Sequence, residues 1–440
     1  MKHSNCKPRA LLINPWVYDF KAFDFWSKPV GLLIVSNVLK KFGFSIAFID
    51  CMDRQSPYFT TETKTDIWGR GKYHYEEVEK PHIFRQIPRR YKRYGIPRDT
   101  FIRAVQDLET PDFVFITSSM TYWYPGVFEA IRILRLRYPG VKIVLGGIYA
   151  TLCEKHARKK SGADIIVTGA IEEHIPELVA AMGLPERTTI GEYSYAPDYS
   201  LYDRMHYGVI LTSRGCPFDC TYCATRILCG KFSAAPVDKV LTQIAVIKEK
   251  NRNVSFFDDA LLYNKSFPNL LRALIEEKYD LTLHASNGLH CRYITQDIAR
   301  LMFEANFQTI YLSLETTNPL VQNQTGGKVN TEEFKAAVQK LTMAGFAPHQ
   351  IHTYILYGIP GQGHDEIIDS IKLCHDLGVH PHLCEFSPIP HTAEYEKTGF
   401  DENTDPLYHN NLFYTWYYPQ PRIELYKKTK RLLSKKIPLT

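Results

Sequence analysis

The 440-residue sequence lacks long hydrophobic runs, abundant cysteine and a strong excess of charge of either sign. Its apolar stretches, such as Val30–Leu39, are much shorter than the roughly 20 residues that a membrane-spanning helix needs. The N-terminal segment contains Pro8 and several polar residues, which interrupt it before the apolar segment of a signal peptide could form. We therefore expect a cytoplasmic protein without a membrane span. Ten cysteines are also too few for a disulfide scaffold in a chain of this length.

The weak charge balance limits the expected partners. The 53 basic and 47 acidic residues give a formal charge of +6, which is too small over this length to indicate a nucleic-acid partner, so we expect none. Hydrophobic residues make up 45% and charged residues 23% of the chain, as in ordinary globular proteins. This composition excludes a disordered or low-complexity protein.

The first part of the chain alternates strand-like and helix-like segments. Strand patterns occupy residues 10–14, 44–50, 112–117, 141–145 and 164–168, and helical spacing covers 31–42, 126–138 and a segment that starts near residue 172. This alternation predicts a doubly wound, Rossmann-like α/β domain over residues 1–190, followed by a linker over 191–206. Such sheets bind ligands at the carboxyl ends of their strands.

Residues 54–100 interrupt this alternation with an aromatic, basic segment that we predict to be irregular. An irregular stretch of this length inside a compact domain favours a lid or a docking insertion. The alternative is a solvated surface on which arginine stems pack against tyrosine rings. The segment contains Arg85, Arg89, Arg90, Lys92, Arg93 and Arg98.

A second α/β series begins near residue 207. Strand patterns cover 207–212, 253–257, 282–285, 309–314, 350–356 and 381–386, with helical patterns at 237–250, 266–277, 295–305, 331–344 and 365–377. Six strands are too few for a complete eight-fold barrel, so we predict a partial (β/α)6 barrel of TIM type over 207–395. Its functional face is the carboxyl edge of the strands. Residues 396–440 are predicted to form a C-terminal helical cap or tail.

Three cysteines lie within eight positions just after the first strand of this second series, in the segment Arg214-Gly-Cys-Pro-Phe-Asp-Cys-Thr-Tyr-Cys223. Their spacing favours an iron–sulfur cluster with one iron left open for an exogenous ligand. Two alternatives remain on spacing alone: a zinc site completed by Cys229, or inert thiols.

The motif CxxxCxxC with an aromatic residue before its last cysteine, at the start of a partial barrel, resembles the radical S-adenosylmethionine (SAM) superfamily. Further segments resemble later landmarks of that family in the same order: 255–259, 287–289, 313–315, 357–362 and 387–392. The sequence departs from the family pattern at Asn306 and His391, where glycine is usual. Taken singly, Asp258 and Asp259 could cap a helix, Glu315 could pair with a cation, and the glycines could serve turns.

The resemblance implies specific residues for the cluster and for SAM. The cluster ligands are Cys216, Cys220 and Cys223. The implied SAM contacts are Tyr222, Asp258, Asp259, Asn287, Ser313, Glu315, Gly358, Ile359 and Gly361.

A doubly wound domain before such a barrel resembles the cobalamin-binding domain of cobalamin-dependent radical enzymes. The implied cobalamin contacts are Pro15, Gly31, Leu32, Ser118, Ser119, Gly146, Gly147, Gly169 and Glu172. The sequence has no DxHxxG motif, so it offers no histidine of that kind below the cobalt. A substrate-binding or degenerate α/β domain is the alternative, and the Gly146-Gly147 pair could simply make a tight turn.

The combined resemblance implies a radical SAM enzyme with a [4Fe–4S] cluster that methylates an unactivated carbon through a 5′-deoxyadenosyl radical. The expected partners are an external one-electron reductant of the flavodoxin or ferredoxin type and a small-molecule or peptide substrate. One alternative is a cobalamin-assisted cyclisation or rearrangement without methyl transfer. Others are a tRNA- or protein-modifying radical SAM enzyme and a non-catalytic iron–sulfur protein.

Overall fold

The structure, a computed structural model, describes residues 7–60, 63–181 and 196–433. The chain forms two compact units: Met1–His206 with Glu402–Leu407, and Tyr207–Asp401 with Tyr408–Thr440. Residues 191–195 of the predicted linker lie outside the described residues. Residues 196–206 pack in the first unit, where the Ser36 hydroxyl donates to the Asp198 carboxylate at 2.7 Å. The domain limits drawn from the sequence remain a proposal.

The first unit contains eight strands and six helices in its described part. The strands are β1 (Arg9–Asn14), β2 (Val17–Asp19), β3 (Ser45–Asp50), β4 (Tyr75–Val78), β5 (Tyr91–Tyr94), β6 (Phe113–Ile116), β7 (Lys142–Leu145) and β8 (Ile165–Ile166). The helices are α1 (Val30–Lys41), α2 (Arg98–Asp107), α3 (Tyr124–Arg137), α4 (Ile148–Leu152), α5 (Glu154–Lys160) and α6 (Ile171–Ala181).

The main sheet of this unit is parallel, with the order β3-β1-β6-β7-β8. Alternate residues of β1 enter opposite cores, since Leu12 packs on the face covered by α1 and Leu11 on the face covered by α3. If only these five strands are numbered in chain order, the sheet has the order 2-1-3-4-5 that is typical of doubly wound folds. Such folds bind ligands at the carboxyl ends of their strands. The predicted doubly wound fold is confirmed.

The prediction that residues 54–100 are irregular is wrong where β4 and β5 occur and where α2 begins. Strands β4 and β5 form an antiparallel hairpin, and β2 adds a third strand on the other side of β5. The charged side chains are also paired: Arg93 bonds with Glu76 and with Glu129, and the Lys92 ammonium lies 3.7 Å from the centroid of the Tyr75 ring. Short strands that pair with a distant segment leave little periodicity in the sequence, so the pattern was missed.

A glycine in α3 fixes how closely that helix approaches the end of β1. A side chain at Gly126 would place its first carbon 2.0 Å from the carbonyl oxygen of Trp16. We expect Gly126→Ala to destabilise the first unit by about 1–3 kcal/mol, the usual cost of overpacking. Gly140→Ala is the matched control because nothing lies within 4 Å of the added carbon. Thermal unfolding measures both variants, and equal melting temperatures would contradict the close approach.

The second unit contains the remaining strands and helices. The strands are β9 (Gly208–Ile210), β10 (Ser213–Arg214), β11 (Ser233–Ala234), β12 (Asn253–Phe256), β13 (Thr282–Leu289), β14 (Phe307–Glu315), β15 (Ile351–Tyr357) and β16 (His380–Glu385). The helices are α7 (Thr225–Cys229), α8 (Val237–Lys248), α9 (Phe267–Glu276), α10 (Gln296–Glu304), α11 (Pro319–Gln324), α12 (Thr331–Met343), α13 (His364–Asp376), α14 (Ala393–Glu396), α15 (Asn411–Tyr417) and α16 (Ile423–Leu433).

Six of these strands form one parallel sheet in chain order, from β9 at one edge through β12, β13, β14 and β15 to β16 at the other. Helices between successive strands have one buried apolar face, as in α9, where Leu270, Leu271 and Leu274 are buried. This is the partial barrel that the sequence predicts. Because all six strands run in one direction, their carboxyl ends share one edge. Within the described ranges, the chain has no helix long and apolar enough to cross a bilayer.

Candidate active site

The cysteine loop is held between β10 and β11, which pair as a short antiparallel ladder. Gly215, with φ +79°, starts the loop, and a side chain there would lie 2.9 Å from the carbonyl oxygen of Lys231. Gly326, after α11, approaches from another side: its added carbon would lie 2.8 Å from the carbonyl oxygen of Asp219. The glycines allow neighbouring backbones to come close, and this packing fixes the loop at the carboxyl edge of the sheet.

Two thiols of the loop, Cys216 and Cys220, have raised pKa values. Cys216, Cys220 and Cys223 are all free. Burial raises the pKa of Cys216, with a further contribution from Cys223. Burial raises the pKa of Cys220 to about 11, Cys223 adds to the shift, and the Lys328 ammonium opposes it. Cys216 and Cys220 therefore have two charged or ionisable neighbours in common, Cys223 and Lys328.

The donor set fits an iron–sulfur cluster. In the part of the chain that the structure describes, no three His, Cys, Asp or Glu side chains are arranged around a single metal ion. A [4Fe–4S] cube does not need its ligands around a single ion, because each cysteine ligates a different iron atom. Soft thiolates are the ligands that such clusters prefer, and the three free thiols of this loop can supply three of them.

Asp258, at the end of β12, has an internal structural role. It is 2% exposed, and its carboxylate accepts hydrogen bonds from the Thr212 amide (3.0 Å), the Thr212 hydroxyl (2.7 Å) and the Ser213 hydroxyl (2.6 Å). Burial raises its pKa to about 6 although these bonds oppose the shift. The Asn287 amide of β13 donates to the carbonyl oxygens of Phe257 (2.9 Å) and Asp258 (3.2 Å). These contacts tie the ends of β9, β12 and β13 to β10 beside the cysteine loop.

The neighbouring Asp259 lies closer to the cysteines. The Thr225 hydroxyl is 3.4 Å from the Asp259 carboxylate, and it is also 3.2 Å from the sulfur of Cys223. Thr225 therefore links the end of β12 to the last cysteine of the loop.

Glu315 ends β14 in a conformation that non-glycine residues seldom adopt, with φ +64°. Its carboxylate lies 3.3 Å from the Lys328 ammonium, and the two side chains are only 10% and 17% exposed. Two residues earlier, the buried Ser313 hydroxyl has no hydrogen-bond partner in the described structure. A side chain at Gly288 would lie 2.2 Å from that hydroxyl. A left-handed non-glycine residue and an unsatisfied buried hydroxyl are features that cluster at functional sites, and both occur at the end of β14.

The three predicted SAM contacts in the loop after β15 have different surroundings. Ile359 is buried in an apolar cluster that Tyr222 of the cysteine loop packs against. Gly358 (φ +90°) packs against Thr415 of α15, since a side chain there would lie 2.7 Å from the Thr415 methyl group. Gly361 (φ +81°) faces open space. Tyr222 and Ile359 therefore lie together, whereas Gly358 serves the contact with the C-terminal helices.

In the first unit, a cavity of about 380 Å³ opens at the carboxyl ends of β1 and β6. Its lining is largely aromatic and apolar, with two lysines, which suits part of a flat macrocycle or a nucleotide base. Two of the predicted cobalamin residues line it, Pro15 and Ser119. Other lining residues are Trp16, Lys21, Phe23, Lys28, Tyr73 and Trp123.

The remaining predicted cobalamin residues do not line that cavity. Leu32 is a residue of α1 and is buried in a hydrophobic core. Ser118 donates to the carbonyl oxygen of Gly146 at 2.6 Å, and a side chain at Gly147 would lie 2.3 Å from the Ser118 carbonyl oxygen. This favours the tight-turn interpretation of the glycine pair.

Three further residues belong to the predicted cobalamin contacts. Gly31 and Gly169 face open space. The side chain of Glu172 lies outside the described residues.

Three residues near the cysteines were not predicted. One is Lys328, whose ammonium opposes the rise in the pKa of both Cys216 and Cys220. Burial opposes its charged form, but Glu315 and Cys220 outweigh burial and raise its pKa. The ring of Phe218, inside the cysteine loop, stacks on His290 with centroids 4.2 Å apart. For Lys328, the sequence offered one signal: the Gly326-Gly327 pair just before it indicates that the backbone approaches another segment closely.

The Glu315–Lys328 ion pair predicts non-additive effects of mutation. Removing one partner leaves the other charge buried, which costs about 3 kcal/mol, whereas removing both costs much less. We expect Lys328→Met and Glu315→Gln each to lower the melting temperature of the cofactor-free protein by about 5 °C or more. The double variant should melt above either single variant. Additive losses would show that the two groups are not coupled.

A partial barrel with three thiols at its carboxyl edge, preceded by a doubly wound domain, defines an α/β enzyme built around a cluster site. Family models agree: residues 210–374 match the Radical SAM superfamily, and residues 90–179 match the B12 binding domain. The chain belongs to the radical SAM enzymes of the class that carries a cobalamin-binding domain. Membership implies SAM, a [4Fe–4S] cluster and cobalamin as cofactors.

Sequence relatives include methyltransferases. An uncharacterized methyltransferase of Pyrococcus horikoshii is 24% identical over 322 residues, which cover 65% of this chain and 69% of the relative. The bacteriochlorophyllide d C-12(1)-methyltransferase of Chlorobaculum tepidum is 23% identical over 322 residues, which cover 66% of this chain and 67% of the relative.

A solved structure shares the fold across both units. The radical SAM methyltransferase TsrM from Kitasatospora setae superposes with a TM-score of 0.66 at 14% identity, covering 92% of this chain and 83% of that protein. At this identity the comparison shows the common fold.

Proposed function

We propose that this enzyme transfers a methyl group to an unactivated carbon of a small-molecule or peptide substrate. The observation that carries the proposal is the meeting of the three-thiol loop with the polar ends of β12, β13 and β14 on one edge of the barrel. The B12-binding domain and the two methyltransferase relatives support methyl transfer as the outcome.

In this proposal Cys216, Cys220 and Cys223 hold the cluster. Their loop is fixed by β10, β11 and Gly326, so the three sulfurs are positioned before the cluster binds. Lys328 offsets part of the negative charge that three thiolates place in a buried region. Its partner Glu315 keeps that ammonium at the edge of the loop.

The ends of the barrel strands supply the SAM contacts. Asp259, Ser313 and Glu315 offer polar atoms beside the loop, and Tyr222 with Ile359 offers an apolar surface. Asp258 and Asn287 position these strand ends through their hydrogen bonds. When bound, the cluster supplies the electron that cleaves SAM, and cobalamin supplies the methyl carrier.

The first unit holds cobalamin at the carboxyl ends of its parallel strands. Pro15 and Ser119 line the cavity there, and Trp123 gives it an aromatic wall. The Trp123 indole is fixed because it donates to the Asp19 carboxylate at 2.8 Å. An external one-electron donor of the flavodoxin or ferredoxin type supplies the electrons.

Isotope labelling tests the proposal. Extracts of the source cells are incubated anaerobically with reconstituted enzyme, a reductant and SAM that carries a trideuterated methyl group. Mass spectrometry then searches for a product that gains the labelled methyl group. We expect such a product with the wild-type enzyme and none with Cys223→Ala. Formation of 5′-deoxyadenosine without any labelled product would instead indicate a rearrangement.

A further inference from the structure

A buried histidine outside the proposed cluster and SAM contacts lies against the cysteine loop. His290 directly follows β13, at the carboxyl edge of the sheet, and is 4% exposed. Its ring stacks on the ring of Phe218, with centroids 4.2 Å apart and an interplanar angle of 27°. Phe218 lies midway between Cys216 and Cys220 in the sequence. His290 therefore packs on the part of the loop that joins two of the proposed cluster ligands.

Backbone contacts hold the segment that carries His290 against the loop. Two residues later, the Arg292 guanidinium donates to the carbonyl oxygen of Gly327 at 2.7 Å. The preceding residue, Gly326, packs on the loop, since a side chain there would place its first carbon 3.1 Å from the α-carbon of Cys220. His290 therefore has a defined position relative to the loop.

His290 is uncharged and carries an unpaired polar atom. Burial lowers its pKa to about 2, with contributions from the cations Lys328 and Arg292. A neutral imidazole has one N–H donor and one acceptor nitrogen. The Nδ1 atom of His290 is buried and has no hydrogen-bond partner in the part of the chain that the structure describes. Because a buried polar atom without a partner is costly, a partner outside the protein chain is expected.

The chemistry of the neighbouring loop indicates what that partner is. The thiolates and sulfides of an iron–sulfur cluster carry negative charge and accept hydrogen bonds. An imidazole with its proton on Nδ1 can donate to such a sulfur atom. Hydrogen bonds to the sulfurs are among the factors that set the reduction potential of a cluster. His290 therefore has the donor, the burial and the location that such a contact needs.

We propose that the Nδ1–H group of His290 donates a hydrogen bond to a sulfur atom of the cluster or of one of its cysteine ligands, and that this bond raises the reduction potential of the cluster. The bond is stronger in the reduced state, because the added electron increases the negative charge of the acceptor. The external donor supplies that electron, and the imidazole keeps its proton in both states. The inference rests on the proposed ligands Cys216, Cys220 and Cys223, and it does not depend on methyl transfer.

A redox titration tests the proposal. Wild-type enzyme and His290→Phe are reconstituted anaerobically with iron and sulfide, and electron paramagnetic resonance measures the reduced cluster at a series of potentials without SAM. The phenyl ring preserves the stack on Phe218 but has no N–H group. We expect the equilibrium constant for reduction to fall about tenfold, which lowers the midpoint potential by about 59 mV for one electron. His290→Asn retains an N–H donor, so its potential should lie closer to wild type.

Two controls separate this role from a structural one. Cofactor-free His290→Phe should melt no lower than cofactor-free wild type, because an apolar group replaces an unpaired polar atom. Tyr263 is 37% exposed, and its ring lies 6.1 Å from that of Phe218. Tyr263→Phe changes this second aromatic neighbour and should leave the potential unchanged.

The possible failures are distinguishable. Wild-type protein without bound iron would overturn the proposed cluster ligands, and the inference with them. Equal potentials for wild type and His290→Phe, with full iron content in both, would overturn the role of His290 alone. An unchanged potential with weaker SAM binding would also overturn it, since the partner of Nδ1 would then be SAM. Loss of iron from both His290→Phe and His290→Asn would show a structural role instead.

Discussion

Cys223→Ala protein, reconstituted anaerobically with iron and sulfide, is expected to lose the [4Fe–4S] cluster and all SAM cleavage. The account assigns three cysteines to the cluster, so the loss of one leaves two ligands for a cube that needs at least three. Iron and sulfide content and the visible spectrum report the cluster directly. We expect less than about a tenth of the wild-type iron content in this variant, and the same result for Cys216→Ala and Cys220→Ala.

Cys229→Ala is the matched control for this prediction. Cys229 is the nearby thiol that would complete a zinc site, and burial raises its pKa to about 11. The radical enzyme account predicts that Cys229→Ala retains the wild-type content of iron. Loss of bound metal from Cys229→Ala, with one zinc per wild-type chain, would support the zinc alternative.

Ser119→Trp is expected to lower bound cobalamin by more than tenfold. Ser119 is exposed at the mouth of the cavity in the first unit, and an indole at this position fills space that the corrinoid would need. The corrinoid absorbance of protein reconstituted with hydroxocobalamin measures the loss. The cluster should remain at wild-type level, because the cysteines lie in the other unit.

Ser119→Ala separates the volume effect from the loss of the hydroxyl group. It should bind cobalamin within a few-fold of wild type, since it leaves the cavity open. Normal cobalamin content in Ser119→Trp would show that the corrinoid does not occupy this cavity.

The order of the parallel strands in both units could be predicted from the sequence because each of these strands has a clear apolar pattern. The parallel strands are short runs of buried residues, as in the stretch from Ala10 to Ile13. The cysteine loop could be identified because three thiols in one loop have few other uses. Asn306 and His391 depart from glycine in the family pattern, and both adopt the left-handed conformation, with φ +67° and +68°. The structure therefore keeps the backbone geometry of these turns without glycine.

Side-chain partners could not be predicted in the same way. Nothing in the sequence near Asp258 indicates that its carboxylate turns inward to Thr212, 46 residues earlier. Lys328 meets the cysteines only after the chain has passed through β12, β13, β14 and α11. Leu32 follows a glycine at a position that suits either a ligand contact or a core, and the packing decides for the core. These contacts are set by tertiary structure, which local patterns do not encode.

Formation of 5′-deoxyadenosine is the measurement that tests the account most directly. Reconstituted wild-type enzyme is incubated with SAM and a strong one-electron reductant under anaerobic conditions, and the nucleoside is quantified by mass spectrometry. The account predicts that the nucleoside forms with wild type and with Cys229→Ala, and is absent when any of Cys216, Cys220 or Cys223 is replaced. No nucleoside from wild-type protein with a full complement of iron and sulfide, or undiminished formation after replacement of one of those three cysteines, would contradict it.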